Sequence, residues 1–164
     1  MQPSCSHCAV RTERPFCDMA PDAIRSFDEI KEQVVLGKGE LLFSEGRPSR
    51  GVYVLCEGRA RLSICSESGK RLMLRVAGPG EVLGLGSTLS GEAYEVSAQL
   101  LEPAQVAFVK RRDLLKFLRE NPTICMEVVR SLSNNLHGAY EQVRAIGLSR
   151  ARRTRLQRAR TMAS

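Results

Sequence analysis

Histidines, long apolar runs and late acidic residues are all scarce in this 164-residue chain. With His7 and His137 as its two histidines, the chain lacks the convergent His and carboxylate ligands that a catalytic metal needs inside a β-barrel. No nucleophile–base pair is recognisable either, so we expect no enzyme activity. No stretch approaches the roughly 18 apolar residues of a membrane span, and residues 1–17 hold no secretion signal. We therefore expect a cytoplasmic protein that has no membrane contact and keeps its six cysteines reduced.

The net charge of +7 is confined to the C-terminal end. Residues 1–141 hold 18 Lys and Arg against 18 Asp and Glu, whereas residues 142–164 hold seven Arg and no acid. A run of this kind is typical of a solvated tail, although it could also bind a phosphate backbone without sequence preference. We predict a disordered tail over residues 149–164. No base-reading element is present, so we expect no sequence-specific DNA binding by this chain alone.

Hydrophobic periodicity changes twice along the chain. Residues 1–20 form a polar, irregular segment that carries three cysteines. Residues 21–30 then place apolar side chains at helical spacing after Pro21, which predicts a short amphipathic helix. From residue 31 to 110 apolar residues alternate with polar ones between Gly- and Pro-rich turns, which predicts seven or eight short strands. The fold class is therefore mainly β with α, an antiparallel sandwich or jelly-roll (double-stranded β-helix) barrel within residues 21–120.

The helical period returns after residue 110. Residues 113–118 predict a short helix, and Asn121 and Pro122 predict the N-cap and first position of a long helix over residues 121–148. Apolar residues then recur at alternating spacings of 3 and 4, which is typical of a coiled-coil seam. We interpret this element as a homodimerisation helix, with packing on its own barrel as the alternative. Its predicted interface consists of Val129, Leu132, Leu136, Ala139, Val143 and Ile146.

Three glycine-rich runs carry a resemblance to a known family. They are residues 39–46 (GELLFSEG), 51–62 (GVYVLCEGRARL) and 78–84 (GPGEVLG). Over residues 21–148 the chain resembles the cyclic-nucleotide-binding sensory half of Crp/Fnr-type bacterial transcription regulators. The resemblance implies their jelly-roll fold followed by a dimerisation helix. In complete regulators a winged helix-turn-helix comes next. We expect a regulator truncated before that DNA-binding domain, by a shortened or frame-shifted gene.

The effector pocket departs from the pattern that this resemblance implies. In nucleotide-binding members an acid holds the ribose hydroxyl and an arginine pairs with the cyclic phosphate. Here Leu85 takes the position of the acid, and no Lys or Arg occurs between Arg75 and Lys110. A buried phosphate needs a cation or many backbone donors, so cyclic AMP or cyclic GMP binding is the alternative function. The candidate pocket consists of Gly84, Leu85, Gly86, Ser87, Thr88, Tyr94 and Glu95.

The N-terminal cysteines offer a second route for a signal. Cys5, Cys8 and Cys17 form a C-x2-C-x8-C pattern, and soft thiolates so close in sequence suit an iron-sulfur cluster or zinc. Fnr-like proteins hold an oxygen-sensitive iron-sulfur cluster with such a group and one later cysteine. The resemblance therefore implies redox, oxygen or nitric oxide sensing, and reduced thiols without metal are the alternative. The fourth ligand stays open among His7, Asp18, Cys56, Cys65 and Cys125.

Overall fold

The computed structural model describes residues 4–14 and 16–163. The chain divides into two compact units between Val129 and Arg130. Among the described residues, the first unit carries the strands, three α-helices and two short 3-10 helices, Cys5–His7 and Arg11–Glu13. The second unit is the continuation of one long helix.

Eight strands, numbered in chain order, form two four-stranded antiparallel sheets. In sheet order, the first sheet contains β1 (Lys31–Leu36), β8 (Ala104–Lys110), β3 (Gly51–Glu57) and β6 (Val82–Leu83). The second contains β2 (Leu41–Phe43), β7 (Ser97–Leu100), β4 (Ala60–Cys65) and β5 (Arg71–Ala77). The predicted fold class is confirmed, because the alternating residues of these segments do form the strands of an antiparallel jelly roll.

The main apolar core is drawn from both sheets. Leu55 of β3 and Leu100 of β7 are almost completely buried there. β3 is also buried on its other face, where Val52 and Val54 are covered. A strand covered on both faces has apolar residues at consecutive positions, and the sequence Val52-Tyr53-Val54-Leu55 has that form.

Two short helices lie beside the first sheet. α1 (Pro21–Ile30) has the predicted bounds, with Pro21 in its first turn and Ile24 and Phe27 buried. The second of these helices spans Arg111–Glu120, which is two residues longer at each end than the predicted range 113–118. The ring of Phe27 packs on that of Phe117 in this helix, with centroids 5.6 Å apart. These contacts bury the apolar stripe that each helix shows in the sequence.

The Asn121 side chain does not cap the N-terminus of the long helix, although the sequence predicts this role. Its main-chain carbonyl accepts the first bond of the long helix, from the Cys125 N–H at 3.1 Å. Its side-chain amide instead donates to the Phe117 carbonyl at 2.8 Å. Asn121 therefore satisfies a free carbonyl at the end of the preceding helix, which needs a partner as much as the following N-terminus does.

The long helix extends over Pro122–Met162. Its first turns bury Ile124 and Val128 in the first unit. Residues 149–162, where the charge pattern predicts part of a disordered tail over 149–164, are helical and exposed. Ala, Arg, Leu and Gln are strong helix formers and no proline interrupts them, so charge alone was a poor guide. None of the described helices is long and apolar enough to cross a membrane.

Candidate functional site

The predicted effector position is built around a third short helix, Leu85–Ser90. Numbered in chain order, this helix is α2, the helix Arg111–Glu120 is α3, and Pro122–Met162 is α4. Gly84 precedes α2 with φ +82°, and a Cβ there would lie 2.9 Å from the Tyr94 ring. Glycine is therefore required at this corner for both its backbone conformation and the space it leaves.

Tyr94 fills the interior beside α2. It is 6% exposed, and its ring stacks on Phe43 with centroids 4.2 Å apart. Its hydroxyl donates to the Gly51 carbonyl at 2.6 Å, and the buried Thr88 hydroxyl donates to the same oxygen at 2.9 Å. The polar groups at this position are thus turned toward the protein's own backbone, as buried polar groups must be when no ligand satisfies them.

The fold gathers most of the predicted pocket residues. Leu85, Ser87 and Thr88 are buried, and the Ser87 hydroxyl accepts from the Glu95 N–H at 3.3 Å. The Glu95 residue itself is exposed. Tyr94 packs in the apolar core with Phe43 and Leu83. A phosphate buried among such side chains would need a cation or several backbone donors as partners.

Arg111 is a cation beside α2 that the sequence analysis missed. Its Nε donates to the Thr88 carbonyl at 2.7 Å, near the C-terminal end of α2, and its guanidinium lies close to Gly91. A cation at a helix C-terminus satisfies free carbonyls and complements the helix dipole. The run of basic residues 110–112 could have signalled it, but only the folded chain brings α3 to α2.

The cysteine segment is docked on α1 through Asp28. This carboxylate accepts from the Ser4 hydroxyl at 2.5 Å and from the Cys5 N–H at 2.9 Å. It also pairs with Lys31 at 2.9 Å. Partial burial opposes ionisation, but the bonds from Ser4, Cys5 and Lys31 prevail and hold the pKa of Asp28 well below its usual range. The start of the segment therefore depends on an ionised carboxylate.

Lys31 is the only buried charged residue among those the structure describes. Its Nζ lies 3.1 Å from the Cys5 Sγ. Burial lowers the pKa of Lys31, but the contacts with Asp28 and Cys5 outweigh it and raise that pKa. Burial raises the pKa of the Cys5 thiol in spite of the neighbouring ammonium group. The arrangement places the positive charge of the buried Lys31, which is also paired with the partly buried Asp28, against the Cys5 thiol.

Cys17 and Cys56 are the most perturbed thiols. Burial raises the pKa of Cys17 to about 11, and the neighbouring thiols of Cys56, Cys5 and Cys8 contribute to the increase. Burial likewise raises the pKa of Cys56 to about 11, with contributions from Cys5 and Cys8. Negative charge on the neighbouring thiols therefore opposes ionisation of Cys17 and Cys56. A bound cation would relieve that repulsion, and thiol donors suit a soft metal.

The other candidate fourth ligands lie elsewhere. His7 is exposed, and Asp18 lines an open polar cavity of about 340 Å³ with Thr123 and Glu127. Cys65 is exposed at the end of β4, and Cys125 lies in the first turn of α4. Within residues 4–14 and 16–163, no group of three or more His, Cys, Asp and Glu side chains is gathered closely enough to hold a metal ion. Thiols are suitable donors for a soft metal, but the described side chains do not form a closed ligand set.

The predicted seam of α4 is largely open to solvent. Val129, Leu136, Val143 and Ile146 are 47–67% exposed, Ala139 is exposed and Leu132 is half-buried. Tyr140 and Leu148 add to the apolar surface of the helix. A stripe of this length is an unusual surface for a helix that has no partner.

Comparison with known proteins places these features in a family. A family model for the cyclic nucleotide-binding domain matches residues 33–121. The transcriptional activatory protein AadR of Rhodopseudomonas palustris is 30% identical over 142 residues, which is 87% of this chain and 58% of that protein. The transcriptional activator protein Anr of Pseudomonas aeruginosa is 28% identical over 135 residues, 80% and 55% of the two chains. The chain thus spans about half the length of these curated relatives.

Solved structures show the same fold. The Thermus thermophilus catabolite activator protein superposes with a TM-score of 0.72 at 22% identity, over 81% of this chain and 62% of that one. The sensor domain of the transcriptional regulator DNR from Pseudomonas aeruginosa gives a TM-score of 0.70 at 20% identity, over 86% and 95%. This chain belongs to the cyclic nucleotide-binding domain family, and its homologues are transcription regulators of the Crp/Fnr type.

Proposed function

We propose that this chain is the non-enzymatic sensing and dimerisation domain of a Crp/Fnr-type regulator, and that Cys5, Cys8 and Cys17 receive a redox, oxygen or nitric oxide signal. One observation carries the proposal. The only buried charge in the described part of the chain, Lys31, lies against the cysteine segment, whereas Tyr94 and apolar side chains fill the effector position. The polar chemistry available to a signal is therefore at the thiols.

Two aromatic contacts connect the cysteine segment to α3, the helix that precedes the dimerisation helix α4. Phe16, next to Cys17, packs edge-on against Phe27 of α1 with centroids 5.8 Å apart. Phe27 in turn packs on Phe117 of α3, five residues before the start of α4 at Pro122. A change in the docking of the cysteine segment therefore reaches α3 through two aromatic contacts, each worth about 1 kcal/mol beyond burial.

An iron-sulfur cluster or a zinc ion held by these thiols would supply the centre that reacts with the signal. Cys5 and Cys8 would bind it from the first turn of the segment and Cys17 from its end. Lys31 would offset part of the thiolate charge, since its ammonium group already lies against the Cys5 sulfur. Phe16 and Met19, which are both buried, exclude water from one side of the segment.

The test is anaerobic purification of the whole chain, followed by visible absorption and analysis of iron, sulfide and zinc. We expect bound metal in the wild-type chain and its loss when Cys5, Cys8 and Cys17 are all replaced by Ala. Air or a nitric oxide donor should then bleach or release the bound centre. A colourless, metal-free protein whose N-terminal thiols alkylate freely and do not respond to air would remove the sensing proposal.

Cyclic-nucleotide binding is the second candidate, because the family model covers the strands and α2 that form the effector position. Titration calorimetry with cyclic AMP and cyclic GMP separates the two functions. We expect no heat of binding at micromolar nucleotide. Micromolar affinity that the Tyr94→Ala variant alters would instead make the interior beside α2 the sensing site.

We also propose that the chain forms a homodimer through the α4 seam. The exposed stripe of alternating 3 and 4 spacing supports it, because a helix of this pattern buries its seam against a second helix. Sedimentation equilibrium of the whole chain gives the oligomeric state. A monomer at all concentrations up to the solubility limit would contradict this part of the proposal.

A further inference from the structure

Cys5 and Lys31 bring a thiol and a primary amine into contact in the first unit. The Lys31 Nζ lies 3.1 Å from the Cys5 Sγ, and the Lys31 side chain is only 3% exposed. Lysine is almost never buried to this extent unless it is paired, so the position of the amine is specific. Cys5 itself is half-buried, which leaves that residue partly open to small solutes.

Asp28 holds the two groups in this position. Its Oδ1 accepts from the Cys5 N–H at 2.9 Å and lies 2.9 Å from the Lys31 Nζ. Its Oδ2 accepts from the Ser4 hydroxyl at 2.5 Å. One carboxylate therefore fixes both the turn that carries the thiol and the lysine that carries the amine. Groups held in this way react together more readily than free ones, because the entropy of bringing them together has already been lost.

The sulfur and the nitrogen belong to separate ordered elements. Lys31 begins β1 and is in register with Val109 of β8. Cys5 begins a 3-10 turn in which the Cys8 N–H donates to the Cys5 carbonyl at 3.2 Å. The two residues are 26 positions apart in the chain. A covalent bond between them would therefore fasten the N-terminal segment to the first sheet.

The chemistry of the pair allows such a bond. A thiol oxidised to its sulfenic acid condenses with a nearby nitrogen to form a sulfenamide, and the amine of Lys31 is such a nitrogen. We propose that hydrogen peroxide joins Cys5 to Lys31 by an S–N bond, which makes this pair a reversible oxidative cross-link. The cross-link requires no metal, so it goes beyond the proposed function, and either one can fail without the other.

The reaction has two steps. First, the Cys5 sulfur attacks one peroxide oxygen and the O–O bond breaks, so that sulfur is oxidised by two electrons to the sulfenic acid and water leaves. Second, the neutral amine of Lys31 attacks that sulfur, the S–N bond forms and the S–O bond breaks. The ammonium group loses two protons in all, one to the departing hydroxide and one to solvent. An added dithiol reverses the reaction by reducing the sulfur.

The resting pair favours the protonated, unreacted state. Burial raises the pKa of Cys5, and the contacts with Asp28 and Cys5 outweigh burial and raise the pKa of Lys31. Most of the pair is therefore thiol and ammonium at neutral pH, and the reaction uses the minor thiolate and amine forms. We accordingly expect slow cross-linking that needs peroxide in excess over the protein.

The experiment uses the whole chain, freed of metal with a chelator and treated with excess hydrogen peroxide. The chain is then alkylated, digested with trypsin and analysed by mass spectrometry. Trypsin does not cut after a modified Lys31, so the sequence predicts a product in which residues 1–11 are joined to residues 26–38. Its mass is two hydrogen atoms below that of the two peptides together. Dithiothreitol should separate them again.

Lys31→Arg is the matched variant, because arginine keeps the positive charge but cannot be deprotonated to a nucleophile. Cys8→Ser removes the thiol nearest in sequence and keeps the amine. We expect the joined peptides from the wild-type chain and from Cys8→Ser, and their complete loss in Lys31→Arg. Circular dichroism checks that Lys31→Arg is folded; if it is not, the wild-type peptides decide.

A folded wild-type chain in which peroxide yields only disulfides or the sulfinic acid at Cys5 overturns the cross-link. Joined peptides that survive Lys31→Arg overturn the role of Lys31. Joined peptides that carry one additional oxygen atom overturn the direct S–N bond. Metal uptake is measured separately in the anaerobic analysis, so a chain that binds no metal and still forms the cross-link contradicts the metal centre alone.

Discussion

At the scale of single residues, Asp28 has the clearest electrostatic signature. Its pKa lies below the unfolded value of about 3.9, so the unfolded chain binds more protons in acid. The stabilisation is therefore complete well above the unfolded pKa and is lost progressively as the pH falls from that value toward the lower folded pKa. We expect Asp28→Asn to lower the free energy of unfolding by about 1.5–3 kcal/mol at pH 7, and by a smaller amount at pH 3.

Denaturant unfolding at pH 7 and pH 3 measures this difference, and the alkylation rate of Cys5 reports on the segment itself. Asp22→Asn is the matched control, because Asp22 lies on the same helix with its side chain 91% exposed and paired only with Arg25 in an exposed bridge. An equal effect of the two substitutions, or one that does not depend on pH, would contradict a specific role for Asp28.

Tyr94 gives a second prediction at this scale. Tyr94→Phe removes one hydrogen bond but leaves the Gly51 carbonyl paired with Thr88, so we expect a loss of about 1 kcal/mol. Tyr94→Ala empties the space beside Phe43 and should cost about 3–5 kcal/mol. Urea unfolding measures both. Near-equal stabilities of the Ala variant and the wild type would mean that Tyr94 does not fill the interior.

The residues that sequence reasoning missed share one property. The roles of Arg111, Asn121 and Arg14, which donates to the Cys56 carbonyl, all depend on which elements meet after folding. The lack of Lys and Arg across residues 76–109 could be read directly from the sequence. It could not reveal a cation delivered by α3, because register and helix placement are tertiary properties.

At the scale of elements, the seam of α4 is the feature with the most direct test. We expect Leu136→Glu to shift the chain from dimer to monomer, because a carboxylate at a seam position must be buried without a partner. Asn134→Glu places the same charge two residues away, off the seam, and should leave the dimer intact. Sedimentation equilibrium distinguishes them, and equal effects of both substitutions would mean that the dimer uses another face.

The same register continues into the basic part of α4 and defines where the seam ends. After Ile146 the seam positions are occupied by Arg150, Arg153, Gln157 and Arg160. Facing arginines repel, so we expect contact between paired helices to stop near residue 148. Replacing Arg150 and Arg153 together by Leu should extend the seam and lower the dimer Kd at least tenfold, about 1.4 kcal/mol.

Arg152→Leu with Arg155→Leu adds the same apolar surface away from the seam and serves as the control. Tightening by the control pair alone would show that the register is wrong.

The helix bounds show how much the sequence patterns can predict. Both ends of α1 were predicted to the residue, because a proline and an apolar stripe define that helix. The end of α4 was not, because neither proline nor a capping glycine marks it.

At the scale of the whole molecule, charge is separated along the chain. Residues 1–141 are electrically balanced, and the described part of α4 beyond Gly147 carries six exposed arginines and no acid. These arginines are distributed around the helix, and Leu148, Leu156 and Met162 do not form a continuous apolar face among them. Such a surface suits a phosphate backbone better than a lipid interface, where an amphipathic face is needed.

We therefore expect the chain to bind duplex DNA weakly and without sequence preference, and only at low salt. If about three arginines on one side of the helix meet one backbone, the logarithm of the binding constant should fall with the logarithm of salt concentration with a slope near −3. Fluorescence anisotropy with two unrelated duplexes measures the slope and the preference. Removing residues 149–164 should abolish binding and leave the melting temperature of the first unit unchanged, since that unit ends at Val129. Binding that survives the truncation, or that favours one duplex more than tenfold, would place the nucleic-acid contact on the first unit instead.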